Sequence, residues 1–270
     1  MKYLVLINTL CLYFGLSSVG FAGGMGPVEK TENWYLVGGA GYSDPREVNI
    51  TTDPGVWAFS ISGYNSDMDS SAVLFFGVGR YITDAFRIDA RIEHRGEYHY
   101  SKFQVSTTPG VGGVGDLNRT RLFDLDSNSV MINGWLDLGN LSSKLLWQAG
   151  GTVIQPFISG GAGVNYLNVK NFRTLARSAN VPANALNEVF SANQLTTDNE
   201  FAWQVGAGLS AQLTPRTTLA IGYDYFDGGK IPFPNYIFTN PVGGRIGVTA
   251  TPWNGSFQAN EVYAELRVLV

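Results

Sequence analysis

The chain has 270 residues, of which only 15% are charged while 44% are hydrophobic and 13% aromatic, and glycine takes 33 positions. An average soluble domain carries about 25% charge, and a disordered chain is far less apolar. The net charge of −4 offers no clustered basic footing for nucleic acid. What remains is β-structure whose two faces meet different surroundings.

Residues 1–22 read as an export signal. Lys2 gives a short positive start, residues 3–16 are almost wholly apolar, and Gly20-Phe21-Ala22 places small residues where a signal peptidase reads, with cleavage expected between Ala22 and Gly23. Cys11, the only cysteine, lies inside that signal, so residues 23–270 have no disulfide and no thiol chemistry. After Ala22 no apolar run approaches the length of a spanning helix. A membrane location for the 23–270 domain therefore requires strands.

Alternation with period two runs through that domain. The first strand is expected over 34–43 and the second over 71–81, with Arg80 turned inward and Tyr81 at the interface. In 86–95, Phe86, Ile88, Ala90 and Ile92 oppose Arg87, Asp89, Arg91, Glu93 and Arg95. In 130–138, Val130, Ile132, Gly134, Leu136 and Leu138 oppose Met131, Asn133, Trp135 and Asp137. Strands follow over 156–166, 201–213, 217–226 and 261–270. In 201–213 one face is wholly apolar, and the last strand sets Val262, Ala264, Leu266 and Val268 against Glu261, Tyr263, Glu265 and Arg267. Side chains alternate across a strand, so each strand presents two different faces.

Tight joints at 82–85 and 214–216 and a modest one near 139–153 alternate with long connections at about 44–69, 99–129, 169–199 and 229–256. This is the layout of an eight-stranded antiparallel up-and-down transmembrane β-barrel, all-β, with four long extracellular loops and short periplasmic turns. Aromatics near strand ends (Trp34, Tyr42, Tyr81, Phe86, Tyr98, Phe201, Trp203, Tyr223 and Tyr225) suit an interfacial girdle. A soluble ligand-binding barrel has the same periodicity turned inside out. The low charge, the glycine-rich small face and the one-sided long loops favour the membrane.

Several segments carry a family resemblance. They are Trp34-Tyr35-Leu36-Val37-Gly38-Gly39-Ala40-Gly41-Tyr42, Met131-Ile132-Asn133-Gly134-Trp135-Leu136-Asp137-Leu138, Gln155-Pro156-Phe157-Ile158-Ser159-Gly160-Gly161-Ala162-Gly163, the stretch 201–208 and the stretch 219–225. With these the chain resembles the opacity-protein and surface-antigen superfamily of small outer-membrane β-barrels, whose fold includes the OmpA-like transmembrane barrel. The resemblance implies a surface-antigen, adhesive or structural role in a Gram-negative cell outer membrane. It also implies insertion into outer-membrane lipid by the barrel-assembly machinery, which reads the last strand. That strand ends here in Val270, where the family usually ends in Phe or Tyr. The resemblance carries over no catalytic residues and no cofactor.

One candidate site is a polar network in the barrel interior: Arg87, Asp89, Arg91, Glu93 and Arg95 on the third strand, with Asp137, Asp224, Glu265 and Arg267 from others. In an interior just wide enough for side chains these charges must pair. They form either a polar plug or a narrow ion or small-solute pathway gated by re-pairing.

His94 falls on the lipid-facing register, and Tyr98-His99-Tyr100 read as interfacial, with His99 at the base of a loop. No nucleophile–base spacing supports an enzyme. Asp67-Met68-Asp69 and Asp124-Leu125-Asp126 lack the Gly and Glu of a calcium loop, and the run 109–115 lacks the Lys of a phosphate loop. A short helix is expected after Pro182, with Leu186, Val189 and Phe190 on one face. Ile231, Phe233, Tyr236, Ile237, Phe238 and Trp253 give the last long loop apolar residues that either contact a host or cell-surface ligand or pack together.

Overall fold

The computed structural model describes residues 34–46, 48, 57–58, 66–106, 118–149, 152–176, 187–192, 196–233, 237–239, 246–248 and 255–270. The expected signal and its cleavage pair, Ala22 and Gly23, lie outside the described residues. Eight long strands close into a ring: β1 (Trp34–Pro45), β2 (Ser71–Tyr81), β3 (Phe86–Ser106), β4 (Asn118–Asp137), β5 (Thr152–Ala176), β6 (Thr196–Gln212), β7 (Thr217–Lys230) and β8 (Ser256–Leu269). Every pairing is antiparallel between neighbours in sequence. The ring shuts where β1 meets β8, with Tyr35 opposite Leu269 and Pro45 opposite Ala259. Closure leaves the eight strands no free edge along the barrel wall.

The alternation decides which face is which. On β2 the exposed residues are Ala72, Leu74, Phe76 and Val78, while Val73, Phe75, Gly77 and Gly79 point inward. The outer wall carries Phe201 at 68% exposure, Ile132 at 67% and Ile221 at 61%. Apolar residues so exposed around a whole wall, with charges held inside, make sense only if the exterior touches hydrocarbon. The barrel is therefore transmembrane.

The joints fall at two ends. At one end the turns are tight. Ile82 and Thr83 donate their backbone N–H to Phe86 O, and Thr83 Oγ1 accepts from Ala85 and Phe86 N–H. Thr214 Oγ1 accepts in the same way from Arg216 and Thr217 N–H. The third joint holds two single-turn 3-10 helices, Leu138–Asn140 and Ser143–Leu145, then a short strand, Trp147–Ala149, on Thr152–Ile154.

At the other end the strands outrun the expectation. β3 continues to Ser106, β4 begins at Asn118, and β5 runs from Thr152 to Ala176. Much of the connections expected at 99–129 and 169–199 is thus strand. Ser66–Met68 and Trp57–Ala58 pair with β3, and Asn187–Ala192 pairs with β5. This corrects the expected helix: Val189 and Phe190 lie in that strand, while Pro182 and Leu186 lie outside the described residues.

Polarity inverts along these long strands. Up to Arg95, the odd-numbered charges of β3 point inward. A bulge between Arg95 and Tyr98 then shifts the register, so that Tyr98 and Tyr100 point inward and His99 outward. A bulge adds one residue to one strand and flips the parity beyond it. A second bulge, on β5 opposite the Leu122/Asp124 step, places Asn171 at φ 52 and turns Phe172 inward; asparagine tolerates this left-handed backbone better than most residues. Tyr98 and Tyr100 are therefore core residues, not the interfacial ones that the sequence pattern predicted.

The facing of β2 needs a second correction. Arg80 points outward, its guanidinium 5.6 Å from the Trp34 ring, and Tyr81 turns inward against Tyr35. The pairing register explains this. Tyr35 lies opposite Gly79, and a Cβ at position 79 would collide with the Tyr35 ring. The inward slot at 79 must stay empty, so Arg80 takes the outer face.

Candidate functional site

The interior polar network is assembled mainly by β3, whose alternation aims five charges at the axis. Arg87, Asp89, Arg91, Glu93, Arg95, Asp137, Asp224, Glu265 and Arg267 are all buried, none more than 6% exposed. Arg91 is the hub. Its Nε and Nη2 donate to Asp89 at 3.0 Å each, and Nη2 also donates to Glu265 on β8 at 2.8 Å. Arg87 sits 3.4 Å from Asp137, 3.7 Å from Asp89 and 3.9 Å from Glu265. Arg267 lies 3.2 Å from Glu265 and donates to Tyr81 Oη at 3.0 Å. Charges this deep are tolerable only when paired and further hydrogen-bonded.

Arg95 builds a second node. It donates to Glu261 at 2.7 and 3.1 Å, to Glu93 at 2.8 Å and to Ser129 Oγ at 2.9 Å. Ser43 donates to the same Glu261 at 2.8 Å, and Tyr98 Oη donates to Ser43 Oγ at 2.7 Å. Gln204 ties the nodes together, donating to Asn133 Oδ1 at 2.8 Å, while Asn133 Nδ2 donates to Asp89 at 3.0 Å. Sequence reasoning left Glu261, Gln204, Asn133 and Ser43 out of the network. Glu261 and Asn133 share the inward parity of Glu265 and Asp137, and Gln204 stands on the face opposite the wholly apolar one of 201–213, which were the available signals; β1 offered none for Ser43.

Aromatic rings fill what the charges leave. Trp135 is flanked by two guanidiniums, Arg87 at 4.2 Å and Arg91 at 4.4 Å from its centroid, and Arg95 lies 3.5 Å from the Phe226 centroid. Such stacking is favourable where the cation is desolvated. Near the turn end, Tyr35, Val37, Phe75, Trp135, Phe157, Ala220 and Tyr263 form a buried cluster. Asp224 stands apart. Among the described residues no guanidinium pairs with it, and its Oδ1 accepts from Tyr263 Oη at 3.4 Å and Ser159 Oγ at 3.5 Å. It reaches Ser159 over Gly206, where any Cβ would block the carboxylate.

Above the charges the lumen becomes an apolar crown. Tyr98, Tyr100, Phe123, Leu125, Leu167, Val169, Phe172 and Phe257 are buried together, joined by Val48, Met68, Ile231 and Phe233. Phe123 stacks on Tyr100 at 4.5 Å, and Phe233 meets Phe123 edge-on at 5.5 Å. Ile231 and Phe233 therefore pack into the barrel mouth. The side chains of Tyr236, Ile237, Phe238 and Trp253 lie outside the described residues.

Both histidines are on the outer face, His94 opposite Leu74 on the apolar wall, as its register predicted, and His99 beyond the bulge on the outside of the crown. His94 Nδ1 lies 2.7 Å from Asn128 Oδ1. His99 Nδ1 lies 2.7 Å from Asp124 Oδ1, whose second oxygen accepts from Asn171 at 2.6 Å. The Asp124 bond raises the His99 pKa above its ordinary 6.5. Asp126 is held by Lys170. The two aspartates of the 124–126 stretch are thus each engaged by neighbouring side chains. Among the described residues no group of three or more His, Cys, Asp or Glu is placed to hold a metal.

No protein-family model matches the chain, and no curated protein matches it. Solved structures similar to it include Neisserial surface protein A, at 12% identity over 88% of this chain and 97% of that one, with a TM-score of 0.42. The outer membrane protein OprG of Pseudomonas aeruginosa is similar at 11% identity over 88% and 97%, with a TM-score of 0.42. The attachment invasion locus protein Ail of Yersinia pestis, solved with the heparin analogue sucrose octasulfate, is similar at 8% identity over 88% and 99%, with a TM-score of 0.36. The closed ring of eight antiparallel strands, with its apolar exterior and charged interior, has the fold of a small outer-membrane β-barrel.

Proposed function

We propose that the protein is an outer-membrane barrel of a Gram-negative bacterium that is closed along its axis and serves a structural or adhesive role at the cell surface. The observation that carries this is a double blockage of the lumen. Guanidinium–carboxylate pairs centred on Arg91 and Arg95 cross the barrel, and an aromatic crown around Phe123 sits above them. A conducting pathway would have to break both layers, and unpairing a buried charge costs about 3–5 kcal/mol. The barrel is then a rigid stave that presents its crown and connections to the outside, after export on residues 1–22 and insertion by the barrel-assembly machinery.

Planar-bilayer recording combined with ligand binding tests this. The purified barrel is expected to be silent, and to bind host cells or extracellular matrix in a way that deletion of 177–186 and 240–245 abolishes while β1–β8 stay folded. Steady conductance by the wild-type barrel would transfer the assignment to a channel. Equal binding by the intact and deleted forms would remove the adhesive role.

A further inference from the structure

The outer wall changes character where β6, β7, β8 and the end of β1 approach the crown. Trp203 lies opposite Asp227, and Asp227 opposite Gln258. Arg46, just past β1, donates its backbone N–H to Gln258 O at 2.8 Å. These four residues therefore form one row across three strands and the end of a fourth. The row faces outward, because its chain neighbours Ala202, Phe226 and Phe257 are buried in the lumen. Nearer the tight turns the same face is apolar wall, with Val205, Tyr223 and Val262 exposed.

Rings and cations meet at this row. Trp203 and Tyr225 stand 5.4 Å apart, centroid to centroid, and the Arg46 guanidinium lies 6.0 Å from the Tyr225 centroid. Lys230, the last residue of β7, is exposed opposite Ser256, which lies on the same outer face as Gln258. Among the described residues no carboxylate pairs with Arg46 or Lys230, whereas Lys170 on the outer face of β5 is held by Asp126. Asp227 is already engaged: Oδ1 accepts from Gly229 N–H at 3.1 Å and Oδ2 from Gln258 Nε2 at 2.9 Å. Asp44, the other carboxylate of this face, lies opposite Asn260, nearer the apolar wall than Arg46. An exposed ring pair offers an apolar surface that the C–H side of a sugar can cover, and a guanidinium without a carboxylate partner suits a phosphate.

We propose that this row seats a glycolipid of the outer leaflet whose headgroup is a phosphorylated sugar. The sugar covers the Trp203–Tyr225 rings, its phosphates meet Arg46 and Lys230, and the acyl chains run along Val205, Tyr223 and Val262. Two features select this occupant. The groups stand in the order such a lipid presents them, with apolar wall first, rings at the boundary and cations beyond. An ordinary phospholipid brings a phosphate but no sugar for the rings, and an identical barrel would bring a second Arg46 and Lys230 at the same height. The inference rests on the reading of the barrel as an outer-membrane protein that turns its crown outward.

The test is native mass spectrometry of the full-length protein in detergent, mixed in turn with diphosphorylated lipid A, the same lipid A stripped of phosphate, phosphatidylglycerol, and the deacylated phosphosaccharide. The expected result is retention of the diphosphorylated lipid A alone. Its retention should fall roughly fivefold in R46Q and roughly fivefold again in R46Q/K230Q. It should also fall in W203L, and stay unchanged in R173Q, which removes an exposed cation of β5. Retention regardless of phosphate, equal retention of phosphatidylglycerol, equal binding of the deacylated saccharide, or retention unchanged in R46Q/K230Q would each overturn the site while leaving the barrel reading intact. A wild-type chain that inserts into vesicles of no composition would instead defeat the membrane reading. These changes fall on exposed side chains, and K230Q and W203L carry the comparison singly should the double variant not fold.

Discussion

Arg91 on β3 reaches Glu265 on β8 at 2.8 Å, although β1 and β2 stand between those strands in the wall. The bond is thus a strut across the lumen rather than a rung along the sheet. Because Arg91 also grips Asp89 through two nitrogens, its removal leaves two carboxylates short of a cation in a narrow space. Arg91→Ala is expected to destabilise the folded barrel by about 3–5 kcal/mol, read as a lowered denaturant midpoint in vesicles. The double variant R91M/D89N should recover much of that loss, because Glu265 still has Arg267 at 3.2 Å and Arg87 still has Asp137 at 3.4 Å. A midpoint for Arg91→Ala indistinguishable from wild type would mean that the strut contributes nothing to stability.

The exterior makes an opposite prediction from the same strand geometry. Ile132 and Ile221 are among the most exposed apolar side chains, and their exposure is harmless only in hydrocarbon. Lysine at either position should cost about 2–4 kcal/mol if it lies near the bilayer midplane. Lysine at Leu213, by the periplasmic turn, should cost about 0–1 kcal/mol. Unfolding in vesicles gives all three values. An indifferent response at Ile132 and Ile221 would place water, not lipid, against this wall.

How much of this could be read from the residues depended on the contrast between faces. Within the band, β3 shows Arg87 through Arg95 against Phe86 through Ile92, and the strand, its facing and its charges follow from parity alone. Beyond Arg95 the contrast fails for two reasons. The bulge at Gly96-Glu97 reverses parity, so Tyr98 and Tyr100 fall in the sequence where outward residues had been. The surroundings also change from lipid to water, so the apolar side moves inside and the polar side, with His99 and Asp124, moves out. Two reversals in a row leave a stretch without sustained alternation, which reads as loop. Arg80 was misplaced for a related reason. Its facing is fixed by Tyr35 lying over Gly79 on the neighbouring strand, a relation invisible within β2 itself.

The His99–Asp124 pair joins β3 to β4 on the exposed side of the crown. Its hydrogen bond raises the histidine's pKa in the folded state. A raised folded pKa adds stability that is fully present below the unfolded value and fades as pH climbs through the folded one. The crown should therefore be slightly firmer in mild acid. The contribution is small, because the imidazole is largely exposed and the pair is screened by solvent. Nuclear magnetic resonance titration of the His99 ring should show a pKa above 6.5 that falls toward it in Asp124→Asn. An unchanged titration in that variant would assign the shift to other neighbours.

Packing in the lumen gives the last expectation. Gly79 faces inward beneath the Tyr35 ring, and a Cβ there would meet the ring carbons and the hydroxyl. That ring cannot simply swing aside, because Tyr35 Oη donates to Asp89 at 3.1 Å and accepts from Arg87 at 3.3 Å, and its face packs on Tyr81 at 5.3 Å. Gly79→Ala should therefore overpack the lumen and cost about 1–3 kcal/mol. Adding Tyr35→Leu should relieve the collision, so that the double variant loses less than the sum of the two single changes. This coupling is measurable as a double-mutant cycle on the denaturant midpoint. Strict additivity would show that the two residues do not share the space, and that the outward facing of Arg80 has another cause.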